Sequence, residues 1–131
     1  MRFAGYAALF GKPDAAADTI VPGAFAATLA GRSEPLPLFW QHRPDQRIGW
    51  VASASEDERG LRVVAAIDNP DSLAGTMLRA NAVSGLSFGY RARATSHSPR
   101  GRELAEIDLF EVSLVTHPLQ HGARVHFIAR E

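Results

Sequence analysis

Three short segments each place a side chain capable of chemistry inside an apolar, strand-like run: Leu38-Phe39-Trp40-Gln41-His42, Ser84-Gly85-Leu86-Ser87-Phe88-Gly89-Tyr90 and Leu109-Phe110-Glu111-Val112-Ser113-Leu114-Val115. An imidazole, a hydroxyl and a carboxylate are the parts of a serine nucleophile system. In such a system the base takes the hydroxyl proton, and the acid holds the base in the required tautomer. His42, Ser87 and Glu111 are therefore the candidate catalytic residues.

Each candidate competes with a plainer reading. Strand alternation puts Val83, Gly85, Ser87 and Gly89 on one face and Ser84, Leu86, Phe88 and Tyr90 on the other. The two glycines beside Ser87 leave room for a substrate backbone to approach. Read alone, the segment fits a strand serine beside a bulge better, and Ser84 is a weaker alternative nucleophile. Gly85-Leu86-Ser87-Phe88-Gly89 also matches the G-x-S-x-G pattern of the α/β-hydrolase elbow, which needs a sharp turn and a following helix. Here Tyr90 to Arg93 continue as strand, and too little chain follows for further βα units.

His42 ends a strand whose positions Leu36, Leu38 and Trp40 are apolar, so the imidazole sits at a core edge where burial keeps it a neutral base. Its plainer reading is a loop histidine before the turn Arg43-Pro44-Asp45. Glu111 lies in a strand with two apolar faces, Phe110, Val112 and Leu114 on one and Ile107, Leu109 and Val115 on the other. A buried carboxylate needs a partner, either an imidazole or an arginine. Asp108 or Glu106 could take its place. His97, His117, His121 and His126 fall in or near loops or at the chain end, and Pro118 and Gly122 argue against a helix presenting His117 and His121 to a metal. No metal and no cofactor are expected.

The elements that must position these residues are mostly strands. Phe3 to Phe10, Leu36 to His42, Ile48 to Ala54, Leu61 to Ile67, Val83 to Ala94, Arg102 to Thr116 and Arg124 to Ile128 read as strands. A short helix with Pro22 in its first turn and Gly31 beyond its end buries Phe25 and Leu29, and a second over Leu73 to Ala80 turns Leu73, Met77 and Leu78 inward. The pattern predicts a mainly β fold, a small closed or nearly closed barrel of about seven strands with two or more short covering helices. With 131 residues, residues 1–131 are expected to form one domain. The absence of cysteine excludes disulfides, thiolate metal sites and a cysteine nucleophile. No stretch reads as a signal peptide or membrane span, which predicts a soluble protein of a reducing compartment. Fourteen basic and fourteen acidic residues cancel, so global charge gives no argument for a nucleic-acid or membrane partner.

In order and spacing, the chain resembles the HK97-type phage prohead proteases, capsid maturation enzymes related to the herpesvirus assembly proteases. The resemblance rests on Gly5-Tyr6-Ala7-Ala8-Leu9-Phe10-Gly11, Ile20-Val21-Pro22-Gly23-Ala24-Phe25 with Thr28-Leu29, the segment ending at His42, Ile48-Gly49, Gly60-Leu61, Gly85 to Tyr90 and Leu109 to Thr116. It implies a herpesvirus-protease-like β-barrel serine endopeptidase with His42 as general base and Ser87 as nucleophile. The herpesvirus relatives carry a second histidine as third member, and Glu111 falls in the comparable place. The resemblance further implies cleavage of the major capsid protein at its N-terminal or scaffolding segment, inside the assembling prohead in the bacterial cytoplasm. The portal protein and a second copy of the chain, forming a homodimer, are further candidate partners. Many members of the family carry more C-terminal sequence, so a compact member or a trimmed protease core is expected.

Two other classes compete with this reading. An inactive relative could serve as a structural or scaffolding subunit of capsid assembly. A nucleic-acid module is suggested by Arg91, Arg93, Arg100 and Arg102 around one hairpin, but the interleaved aromatics of a single-strand platform are missing. That hairpin is expected to dock the cleaved capsid segment instead.

Overall fold

The computed structural model describes residues 1–129. In chain order the elements are β1 (Arg2–Leu9), β2 (Asp18–Ile20), α1 (Ala26–Ala30), β3 (Leu36–Trp40), β4 (Arg43–Glu56), β5 (Gly60–Ile67), α2 (Leu73–Arg79), β6 (Gly85–Ser98), β7 (Gly101–Val115) and β8 (Val125–Ala129). The mainly β expectation holds, with eight strands in one sheet.

β7 organises the sheet. Along one edge it pairs antiparallel with β6 over nearly its whole length, from Ser98 opposite Gly101 to Gly85 opposite Val115. It also pairs in parallel with β2 near its start and with β3 near its end. From β3 the sheet continues through β4, β5 and β1 to β8. Alternation drives this arrangement. In β5, Leu61, Val63, Ala65 and Ile67 are buried, while Arg62, Val64 and Ala66 between them are partly exposed.

The strand ladders do not close into a barrel. β6 and the segment leading into β8 meet at one isolated antiparallel bridge, Gly85 with Arg124. Around it, the Val125 N–H donates to the Ser84 carbonyl (2.8 Å) and the Leu86 N–H to the Ala123 carbonyl (2.9 Å). Closure as a continuous ladder is absent among the described residues.

The short helices correct two expectations. Pro22 lies in a turn rather than in a first helical turn; Phe25 is the N-cap residue of α1 and is fully buried. Burying such a ring contributes about 1.5–3 kcal/mol, which anchors a helix of only five residues. The Glu56 carboxylate accepts the N–H groups of Gly23 (2.7 Å) and Phe25 (2.8 Å), tying this turn to β4. In α2 the Ser72 hydroxyl caps the helix by accepting the Gly75 N–H (3.2 Å). That cap orients Ala74, Gly75 and Leu78 inward, and leaves Leu73, expected inside, 67% exposed.

Candidate active site

The β3–β4 connection is a two-residue turn, Gln41-His42, closed by the pairing of Trp40 with Arg43. Both residues have positive φ, 52° and 60°. That is the signature of a type I′ hairpin turn, normally filled by Asn-Gly. Holding a non-glycine residue in this region costs about 1–3 kcal/mol unless the surroundings over-determine it. Here they do. The Gln41 N–H donates to the Leu114 carbonyl (3.0 Å), and the Gln41 side chain accepts the Thr116 N–H (3.2 Å) and donates to the Thr116 hydroxyl (3.4 Å).

This turn brings His42 over β7. His42 Nδ1 lies 2.6 Å from Glu111 Oε1. The second carboxylate oxygen, Oε2, accepts the Ser113 hydroxyl at 2.6 Å. Ser113 Oγ in turn accepts the His42 backbone N–H at 3.1 Å. Glu111 and Ser113 are buried, so the carboxylate has both oxygens satisfied where an unpartnered one would be costly. The partner of Glu111 is thus the imidazole, not an arginine. The hydrogen bond to Glu111 raises the His42 pKa above the ordinary imidazole value, burial opposes this, and the carboxylate's charge adds to the rise. With Nδ1 donating to the carboxylate, Nε2 is left as the free lone pair. The His42 side chain is 43% exposed, which leaves it accessible from solvent.

Ser87 enters from β6. It lies opposite Ser113, and Gly89 lies opposite Glu111. Directly opposed residues share a face, so Ser87, Gly89, Glu111 and Ser113 line one face of the two strands, with Ser87 and Glu111 as diagonal neighbours. Ser87 is buried, and no hydrogen bond joins its hydroxyl to His42 in this structure.

The glycines flanking Ser87 serve the protein rather than a substrate backbone. A Cβ on Gly89 would collide with Glu111 Oε1 and lie 3.0 Å from its Cδ and Cγ. A Cβ on Gly85 would come within 2.6 Å of the Val115 carbonyl and 2.7 Å of the Pro118 ring. Gly89 is therefore the space in which the carboxylate sits.

The alternatives are placed elsewhere. Asp108 is engaged by Arg93 (2.7 Å) and Arg91 (3.4 Å). The Ser84 hydroxyl accepts from Arg124 (3.2 Å). Glu106 makes no contact with this cluster among the described residues; it faces Ala94 across the β6–β7 pair. His126 packs against Tyr6 and His121 against Arg124, while His117 and His121 lie outside any helix. The basic hairpin is largely neutralised, since Arg91 and Arg93 share Asp108 and Arg102 grips the buried Asp18 with two bonds of 3.0 and 2.9 Å. Phe110, expected on a buried face, is 51% exposed. Sequence reading missed Ser113, Gln41 and Thr116. The available signal was a small polar residue two positions after Glu111, on the same face of an otherwise apolar strand.

The model of the family described as caudovirus prohead serine protease matches residues 1–131. The chain belongs to this family. Among relatives of known role, it is 32% identical over 130 residues to the prohead protease of Enterobacteria phage HK97, covering 94% of this chain and 58% of that protein. It is 28% identical over 125 residues to the capsid polyprotein of Pseudomonas phage PAJU2, covering 87% of this chain and 18% of that one. The chain therefore spans less than two thirds of either relative. In fold it is similar to the Kaposi's sarcoma-associated herpesvirus protease solved with a hexapeptide phosphonate inhibitor (TM-score 0.65, 18% identity, 95% of this chain and 63% of that one). It is also similar to the varicella-zoster virus protease (TM-score 0.59, 19% identity, 95% and 62%). The prohead protease family and the herpesvirus-protease-like fold are those the sequence resemblance implied.

Proposed function

We propose that residues 1–131 form a serine endopeptidase domain that cleaves capsid protein or scaffolding segments during maturation of a phage or phage-like prohead. Ser87 is its nucleophile, His42 its general base and Glu111 the acid that orients the base. The observation that carries this reading is the 2.6 Å contact between His42 Nδ1 and Glu111 on the sheet face that also holds Ser87. Family membership supplies the reaction class; the HK97 prohead protease and the PAJU2 capsid polyprotein point to the capsid as substrate.

Each step follows from these groups. The Ser87 hydroxyl attacks a peptide carbonyl carbon while His42 Nε2 takes its proton, leaving a tetrahedral oxyanion and an imidazolium stabilised by Glu111. His42 then returns the proton to the departing amine, and the acyl-enzyme forms. Water, deprotonated by the same nitrogen, attacks the ester and releases Ser87. This chemistry requires Ser87 Oγ and His42 Nε2 to come within hydrogen-bond reach in the substrate complex. The major capsid protein is the principal partner in this reading. The portal protein and a second copy of the chain are further partners, and the compartment is the prohead interior within the bacterial cytoplasm. A scaffolding role without turnover finds no observation in its favour, since all three reactive groups are present.

The test needs no substrate. Treatment with a fluorophosphonate, followed by peptide mapping, should give one adduct, on Ser87, that disappears in His42→Ala. An adduct on another serine, or none in folded protein, would remove the assignment.

A further inference from the structure

We propose that Ser113 is a positioning residue of this site, tying the Glu111 carboxylate to the backbone of the turn that carries His42. The inference rests on the assignment of His42 and Glu111 given above and deepens it.

Three observations carry it. First, Ser113 is fully buried, with 0% exposure, in a strand whose neighbours Val112 and Leu114 are equally buried. A hydroxyl there must be satisfied internally. Ser113 divides its hydroxyl between the two residues of the pair: it donates to Glu111 Oε2 (2.6 Å) and accepts the His42 main-chain N–H (3.1 Å).

Second, the bridge closes a ring of contacts. His42 Nδ1 reaches Glu111 Oε1, Glu111 Oε2 reaches Ser113, and Ser113 reaches back to the His42 main chain. The carboxylate plane and the imidazole base are thereby fixed relative to each other through one side chain. Third, the ring sits where nothing else could supply it. The bare Cα of Gly89 walls the carboxylate on the β6 side, and His42 has a positive φ of 60° that turns its N–H toward β7. Without the Ser113 hydroxyl, the carboxylate would be free to rotate away from Nδ1, and the strained turn would lose one of its ties. A misplacement of about 1 Å in a catalytic group lowers rate by roughly 10²-fold.

The readout that separates positioning from mere packing is the titration of His42, followed by NMR on its ring protons. Among the described residues Glu111 is the ionised group acting on that ring. In Ser113→Ala the His42 pKa should fall toward the ordinary imidazole value, and fluorophosphonate labelling of Ser87 should slow by roughly 10- to 100-fold. Ser113→Thr, which keeps the hydroxyl, should restore most of both. If Ser113→Ala does not fold, Ser113→Cys, a weak donor of similar size, takes its place with the same expectation. A folded variant without the hydroxyl whose His42 titration is unchanged and whose labelling is within about twofold of wild type would overturn the inference, leaving Ser113 as filler. A wild-type His42 that titrates at the ordinary value and is indifferent to Glu111→Gln, with no labelling at Ser87, would overturn the site assignment itself.

Discussion

His42 must be open to a reactant and yet held in one orientation, and the residues around it meet those needs with different atoms. Nδ1 is committed to Glu111, and the backbone is committed to Ser113 and the Gln41 turn, while the side chain stays 43% exposed. The pH dependence follows. Because the hydrogen bond to Glu111 raises the His42 pKa, the neutral base forms at a pH above the ordinary value of about 6.5. The acidic limb of the Ser87 labelling rate should therefore lie above that value in wild type and move down in Glu111→Gln. Stability has the opposite sense. A raised folded-state pKa contributes stability that is fully present below about 6.5 and is lost as pH rises through the folded value. The stability difference between wild type and His42→Gln should shrink across that window in denaturant titrations. A difference that grew with pH would contradict the pairing.

At the scale of elements, β7 carries the site because it pairs with β6 along one edge and with β3 near its end on the other. It takes Ser87 from β6 on one side and the His42 turn from β3 on the other. Much of this was legible in the chain. Alternation and turn residues placed β1, β5 and β7 closely, and the apolar setting of Glu111 called for a buried partner. What was not legible has physical causes. The parallel pairings of β7 with β2 and β3 join distant residues, and β2 has only three, too few for a periodic pattern. The polar stretch Arg43 to Arg47 belongs to β4 because pairing with β3 is satisfied by backbone, whatever the side chains. The turn at Gln41-His42 lacks the glycine or asparagine that advertises one. Helix α2 offers a direct check of how a cap sets a face. Leu78→Ala, at a 2% exposed position, should cost about 2–5 kcal/mol in chemical denaturation. Leu73→Ala, at a 67% exposed one, should stay within about 0.5 kcal/mol. Equal costs would mean that the helix face is misassigned.

On the scale of the whole molecule, one continuous core serves both the sheet and the site. Leu38, Leu86, Val112 and Leu114, all fully buried, flank the residues that carry His42, Ser87 and Glu111. Ser87 and Glu111 therefore rest on strands, and His42 on a two-residue turn tied to β7, an arrangement that holds geometry closely. The expected docking hairpin has most of its arginines paired with Asp108 and Asp18, which removes the basic patch that a nucleic-acid partner would need. The proposed function makes one central claim, that this domain cuts capsid-derived chains with Ser87. The most direct test is the intact mass of the matching major capsid protein after co-expression with this chain, beside Ser87→Ala, His42→Ala and Glu111→Gln. The account predicts one discrete truncation with wild type, none with Ser87→Ala or His42→Ala, and a rate lowered by roughly 10²- to 10⁴-fold with Glu111→Gln. Full-length capsid protein in every sample, despite assembled shells, would contradict it.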